Sequence, residues 1–144
     1  MTIKLVDTPG CKAYTVLWTG IARPEQVEGM MDQLLDTNKF FIYIPFPTIA
    51  SDDPKYDPRG YWRGPIWLDQ SYFAISGLRN YGNQEIADSC TRLIFDRPEG
   101  LKQDAPIHEN YDTHTGKTLK APHFSWSASH LIMLYQEYGK TPLK

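Results

Sequence analysis

Groups that recognise sugars are concentrated in the stretch YWRGPIWLDQ, which begins at Tyr61. An indole face can stack on a sugar ring, and guanidinium, carboxylate and amide groups can hold its hydroxyls through hydrogen bonds. Trp62, Arg63, Asp69 and Gln70 supply these four kinds of group. The residue types therefore favour a carbohydrate-binding surface at this point of the chain.

The same stretch also fits a structural role. We expect Trp67 to be a core residue, and Arg63 could pair with Asp69 in a salt bridge that only supports the fold. Trp62, Arg63 and Asp69 bunch together at a junction between a loop and a predicted helix, where binding residues are common. We therefore favour substrate binding for these three and a core position for Trp67.

A second group of polar and aromatic residues surrounds Glu109 in the sequence HENYD. Glu109 could act as a catalytic carboxylate, oriented by Asn110 and Tyr111, with Trp126 in the later FSWS supplying a wall of the site. A glutamate in a loop is more often simply solvated. The spacing alone leaves both interpretations open.

The histidines form no recognisable metal-binding pattern. His108, His114, His123 and His130 include no HExxH pair and have no cysteine partners at ligand spacing. His130 lies within a predicted helix, where a packed or surface position is expected. The sequence also lacks a glycine-rich phosphate loop and a G-x-S-x-G motif. We expect neither a metal nor a cofactor.

Apolar residues recur at helical spacing in four segments, which predicts an all-α fold. Pro suits the first turn of a helix and Gly its end. Cys90 lies on the apolar stripe of the third segment, so we expect it in the core. The predicted helices begin at Pro24, at Gly64-Pro65, near Asn83 and at a serine cap in FSWS, and the last three end at Gly82, before Pro98 and at Gly139.

The connections between the predicted helices alternate between long and short. Residues 36–64 and 96–125 form long connections of roughly thirty residues, well above the ~15 residues usual for loops without structure of their own. The turn Tyr81-Gly82-Asn83, in contrast, predicts a tight helical hairpin. Antiparallel helices with this alternation place both long loops on one rim, where Glu109 and Trp62 would meet.

Four helices are few for such an array. Helical repeats leave an apolar side uncovered where neighbours are missing. We therefore expect the chain to be part of something larger, and to self-associate or to pair with the missing part.

Composition excludes several functional classes. A net charge of −2 gives no electrostatic footprint for nucleic acid or an anionic membrane surface. No apolar run reaches the ~20 residues that span a bilayer. The opening MTIKLVDTPGCKAY has no features of a secretion signal, and Cys11 and Cys90 share no disulfide or metal motif. Periplasm and cytoplasm both remain open as compartments.

These motifs together resemble glycoside hydrolase family 63. The resemblance is greatest to the bacterial α-glucosidase-like branch and more distant to mannosylglycerate hydrolases and trehalases. It covers nearly the whole chain in the family's order. The similar stretches are LWTG from Leu17, PFPT from Pro45, YWRGPIWLDQ from Tyr61, HENYD with the following TG from His108, and APHFSWSASHLIMLY from Ala121.

The resemblance implies a fold and a mechanism. The family fold is an (α/α)6 toroid, so residues 1–144 would be a single partial domain, the C-terminal portion of the barrel. The family's general base matches Glu109, and its sugar-contacting positions match Trp62, Arg63 and Trp126, with Asp69, Gln70 and Tyr111 beside them. The family's general acid, an aspartate, belongs to a motif that this sequence does not contain.

Three hypotheses follow for the function. The leading one is a segment of an inverting glycoside hydrolase that supplies the general base for an oligosaccharide or α-glucoside, lacks the acid and is inactive alone. The second is a non-catalytic carbohydrate-binding or subunit-like module that uses the same aromatic rim. The third is a helical domain with a structural role only.

Overall fold

The computed structural model describes residues 9–138 as mostly helical, with one small antiparallel sheet. The five helices and two strands follow one another along the chain with two long connections between them. Their bounds are α1 Lys12–Trp18, α2 Pro24–Leu34, α3 Leu68–Asn80, α4 Gln84–Asp96, β1 His108–Tyr111, β2 Thr118–Pro122 and α5 Ser125–Glu137.

The core is built around α3, which is buried on most of its sides. This helix packs against α1, α4 and α5. Its contact with α1 is especially close, because a Cβ atom added at Gly77 would lie 2.6 Å from Cβ of Leu17. The absence of a side chain at Gly77 therefore allows the two helices to approach each other.

Two of the predicted helices are confirmed. α2 begins at Pro24 as expected, and α4 follows Asn83 and ends at Asp96, before Pro98. Cys90 is fully buried in α4, as its apolar stripe predicts.

The tight turn between α3 and α4 is also confirmed. Gly82 has a φ of 81°, and the N–H of Asn83 donates to the carbonyl of Leu78 at 2.9 Å. Glycine adopts this left-handed conformation without the strain that a side chain would cause.

The prediction of α3 was wrong at its start. The helix begins at Leu68 rather than at Gly64-Pro65, because Ile66 exchanges two backbone hydrogen bonds with Tyr111. Gly64 has a φ of 155°, and a Cβ atom there would lie 2.3 Å from the carbonyl oxygen of Asp57. The residues before Leu68 therefore form an extended bridge to β1 instead of a first helical turn.

The all-α prediction was wrong for the second long connection, which contains the hairpin β1–β2. Asn110 pairs with Leu119 and Tyr111 with Thr118 in antiparallel register. Asp112 closes the turn, because its carboxylate accepts the N–H groups of His114 and Thr115. Strands of four and five residues carry too little periodicity to be distinguished from a loop in the sequence.

Helix α1 was missed for a related reason. It has only seven residues, and just Tyr14 and Leu17 are buried. Two buried positions do not form a recognisable helical stripe.

The predicted serine cap of α5 was wrong. The N-cap residue is Phe124, and no side chain caps the helix there. The predicted end at Gly139 lies outside the described residues.

Several apolar side chains of α1 and α5 are exposed. They are Val16, Trp18, Trp126, Ile132, Met133 and Tyr135. Exposed apolar residues of this kind are expected of an incomplete helical array. Self-association, the (α/α)6 toroid and the extent of the partial domain stay predictions.

No helix described between residues 9 and 138 is long and apolar enough to cross a membrane.

Candidate active site

The loop before α3 ends in a stack of aromatic rings. The Trp62 and Trp67 rings lie parallel, with centroids 4.2 Å apart and an interplanar angle of 7°. Trp67 is buried, which confirms its predicted core position, whereas Trp62 is 42% exposed. Because Trp67 covers one face of Trp62, only the other face of that indole can stack on a sugar ring.

Tyr61 fastens this loop to the stack. Its carbonyl accepts the indole N–H of Trp67 at 2.9 Å, and its ring meets that of Trp67 edge-on at 5.0 Å. The φ of Tyr61 is 62°, an uncommon conformation for a residue with a side chain.

Glu109 lies in β1, next to the loop that carries Tyr61. The hydroxyl of Tyr61 donates to its Oε1 atom at 2.9 Å. On the backbone side, Oγ of Ser127 in α5 donates to the Glu109 carbonyl at 3.1 Å. Glu109 and Trp62 therefore lie on one rim, as predicted, and Glu109 is held from two sides.

Trp126 completes the aromatic surface. It is 49% exposed in the first turn of α5, and its ring lies 6.3 Å from that of Trp67 in an edge-on arrangement. The structure thus brings Trp62, Trp67 and Trp126 together beside Glu109.

Arg63 does not pair with Asp69 as the structural alternative proposed. Its guanidinium lies 3.7 Å from the carboxylate of Asp57, and both side chains are about half exposed. An exposed pair at this distance contributes little to stability. The Arg63 side chain therefore stays at the surface of the loop.

Asp69 and Gln70 form a connected pair in the first turn of α3. Asp69 is only 3% exposed and accepts a hydrogen bond from Nε2 of Gln70 at 2.7 Å. Gln70 lines a cleft of about 570 Å³ together with Trp62, Thr48 and residues 10–12. Asp69 thus lies behind Gln70 and holds its amide.

Tyr111 lies beneath the site rather than on it. Its ring is fully buried, its hydroxyl accepts the N–H of His108 at 3.0 Å, and its backbone pairs with Ile66. Asn110 is also fully buried. The predicted orientation of Glu109 by these two neighbours is therefore wrong: the hydrogen bond to its carboxylate comes from Tyr61.

A group of polar contacts joins the turn of the hairpin to the loop before α3. The hydroxyl of Tyr56 is hydrogen-bonded to Oγ1 of Thr113 and to Nε2 of His114, and Arg59 lies 3.7 Å from the carboxylate of Asp112. Burial alone would raise the pKa of Asp112, but the backbone N–H groups that it accepts hold this pKa below its usual value. These contacts keep the loop and the hairpin together.

The sequence did not predict the contacts that Tyr61 and Ser127 make with Glu109. Tyr61 opens the YWRGPIWLDQ stretch, but a phenol has no preferred partner in a sequence. Ser127 was interpreted as part of a helix cap.

Over residues 9–138, no group of three His, Cys, Asp or Glu side chains could hold a metal ion.

Comparison with known proteins identifies relatives that are similar in sequence to this chain. Mannosylglycerate hydrolase from Thermus thermophilus is 32% identical over 83 residues, which are 58% of this chain and 19% of that protein. Mannosylglycerate hydrolase MGH1 from Selaginella moellendorffii is 30% identical over 119 residues, covering 81% of this chain and 23% of the relative. The chain thus spans about a fifth of the length of these curated relatives.

A solved structure has the same fold over most of the chain. The family 63 mannosylglycerate hydrolase from another strain of Thermus thermophilus, in complex with glucose, superposes with a TM-score of 0.73 at 20% identity and covers 93% of this chain and 31% of its own. Residues 2–127 match the model of the mannosylglycerate hydrolase MGH1-like glycoside hydrolase domain. The chain therefore belongs to the MGH1-like glycoside hydrolases of family 63.

Proposed function

We propose that this chain supplies the water-activating side of a glycoside hydrolase active site, with Glu109 as the general base. The supporting observation is the hydrogen bond of 2.9 Å from the Tyr61 hydroxyl to Oε1 of Glu109, because the Tyr61 ring in turn meets the exposed ring of Trp62 edge-on at 6.1 Å. The reaction would be the hydrolysis, with inversion, of α-glucosidic or closely related bonds in an α-glucoside or oligosaccharide.

The chemistry of this step needs one ionised carboxylate and one water molecule. The water oxygen attacks the anomeric carbon, Glu109 accepts a proton from that water, and the bond to the leaving group breaks with inversion. Among residues 9–138, the Tyr61 hydroxyl is the one hydrogen-bond donor to the Glu109 carboxylate, which leaves Oε2 for the water.

The surrounding side chains would bind the sugar. The free face of Trp62 stacks on the ring, Trp126 forms a second wall, and Arg63 and Gln70 hold hydroxyl groups. Asp69 acts through Gln70, whose amide it fixes at 2.7 Å. Tyr111 would support the strand from below, because its ring is fully buried.

The general acid would come from elsewhere in the domain. An inverting site needs a second carboxyl group ~6.5–9.5 Å from the base to protonate the leaving oxygen. We assign this role to no residue of the chain. Its match to about a third of the solved relative is consistent with residues 1–144 being a C-terminal portion of an (α/α)6 barrel whose other part carries the acid.

Glycosyl fluorides test this proposal, because fluoride leaves without being protonated. We expect the 144-residue chain to hydrolyse α-glucosyl or α-mannosyl fluoride and to leave an alkyl α-glucoside intact. The preferred fluoride identifies the sugar, and NMR detection of the β-anomer as first product indicates inversion.

The matched variants are Glu109→Gln and Glu28→Gln. Loss of the base should slow fluoride hydrolysis on the order of 10²- to 10⁴-fold, whereas Glu28 is an exposed residue of α2 and its variant should keep the full rate. Equal rates for Glu109→Gln and the unmodified chain would exclude Glu109 as the base.

A carbohydrate-binding module without catalysis is the second candidate. The exposed rings of Trp62 and Trp126 favour this second candidate, because stacking of a sugar on them does not depend on Glu109. Tryptophan fluorescence that responds to α-glucosides, combined with no fluoride hydrolysis, would support this candidate over the catalytic one.

A further inference from the structure

We propose that Tyr61 is a positioning residue for Glu109, which holds one carboxylate oxygen so that the other faces the attacking water. This inference rests on the proposed function of Glu109. It starts from the hydrogen bond of 2.9 Å between the Tyr61 hydroxyl and Oε1, which joins residues 48 positions apart in the chain.

The backbone around Tyr61 is built to hold the phenol in one place. Its φ of 62° is costly for a residue with a side chain and persists only where the surroundings enforce it. The indole N–H of Trp67 fixes its carbonyl, and the rings of Trp62 and Trp67 meet its own ring edge-on at 6.1 and 5.0 Å. These contacts place the Tyr61 ring where its hydroxyl reaches the carboxylate.

Glu109 is fixed independently of Tyr61. It lies in β1, and Ser127 of α5 donates to its carbonyl. Contacts of Tyr56 with Thr113 and His114 tie the turn of the hairpin to the loop that carries Tyr61. Both partners of the hydrogen bond are thus held by separate contacts, so the bond restricts the side chain of Glu109 rather than the fold.

The chemistry of the pair fits a positioning role. A hydrogen bond donated to a carboxylate is shorter and stronger than one between neutral groups, so it can hold Oε1 of Glu109 in place. The same bond raises the pKa of the Tyr61 phenol, with smaller contributions from desolvation and from the negative charge of Glu109. The phenol thus remains a donor while Glu109 works.

The first test measures this coupling without any catalysis. In the 144-residue chain with ring-labelled tyrosine, NMR follows the ionisation of each phenol, and Tyr61→Phe identifies the signal of Tyr61. In Glu109→Gln the Tyr61 phenol should ionise at lower pH, because the charged acceptor is gone, while Glu28→Gln should leave it unchanged. An unaltered Tyr61 titration in Glu109→Gln would refute the proposal.

The second test separates positioning from substrate binding. With the glycosyl fluoride that the chain hydrolyses, Tyr61→Phe should lower kcat on the order of tenfold to a hundredfold with KM within about twofold, as expected for a lost hydrogen bond to a charged group. Tyr135→Phe, at an exposed position of α5, is the control. A raised KM at unchanged kcat would make Tyr61 a sugar-binding residue instead and overturn the proposal.

The two tests also distinguish this proposal from that for Glu109. If Glu109→Gln hydrolyses the fluoride normally, the proposed function fails even where the Tyr61 titration moves. If Glu109→Gln is inactive but Tyr61→Phe keeps the full kcat, the general base stands and the positioning role is refuted.

Discussion

The close approach of α1 and α3 makes Gly77, in α3, a helical glycine at which one added methyl group should be damaging. In Gly77→Ala the new Cβ would lie 2.6 Å from Cβ of Leu17 and 3.2 Å from the backbone nitrogen of Trp18. Carbon atoms prefer separations of about 3.5–4.0 Å, so α1 must move outward by roughly 1 Å. Leu17 cannot turn away, because the atoms involved belong to its Cβ and to the backbone.

The magnitude follows from two opposing effects. Replacing glycine by alanine inside a helix stabilises it by about 1 kcal/mol, whereas overpacking a core costs about 1–3 kcal/mol. Gly29→Ala in α2 provides the matched control, since no atom lies within 4 Å of a Cβ atom there. Both variants gain the helix preference, so the difference between their unfolding free energies isolates the steric cost, about 1–3 kcal/mol.

Urea unfolding of the three chains, followed by circular dichroism, measures this difference. Gly29→Ala should be more stable than the unmodified chain, and Gly77→Ala should be the less stable of the two variants. In thermal unfolding each kcal/mol corresponds to roughly 2–4 °C. If Gly77→Ala is as stable as Gly29→Ala, the close helix contact does not limit the packing of α1.

Two further predictions concern ionisable groups. Burial raises the pKa of both thiols, that of the fully buried Cys90 to about 12. At neutral pH a thiol reagent should therefore modify the partly buried Cys11 before Cys90 in the folded chain, and equal rates would contradict this. Folding lowers the pKa of Asp112, so its ionised carboxylate stabilises the fold at any pH above the pKa that Asp112 has in the unfolded chain. This contribution is lost as the pH falls through the pKa that Asp112 has in the folded chain. The difference in unfolding free energy between the unmodified chain and Asp112→Asn should therefore shrink below about pH 4, whereas a difference independent of pH would exclude this role.

The sequence predicted those elements whose signals are local and repeated. α2 and α4 are long enough for a periodic apolar stripe, and Gly82 marks a turn that needs a left-handed residue. The short helix α1 and the strands β1 and β2 lack this repetition. The start of α3 was misplaced because the bridge between Ile66 and Tyr111 depends on a distant partner.

The site shows the same limit in its chemistry. The sequence placed Glu109, Trp62 and Trp126 on one rim through the alternation of long and short connections. It did not reveal Tyr61 as the partner of Glu109, because that hydrogen bond joins a loop to a strand 48 positions away and follows from neither alone. It also suggested that Arg63 could pair with Asp69, whereas the nearer carboxylate in space belongs to Asp57.

The contacts between the loop before α3 and the hairpin have a consequence for exchange of segments between homologues. Tyr61 with Glu109, Tyr56 with Thr113 and Arg59 with Asp112 all join residues before 64 to residues after 107. A recombination crossover anywhere between those two points would unite a loop and a hairpin from different parents. Chimeras should therefore inherit both segments from one parent, even though α3 and α4 separate them in the sequence.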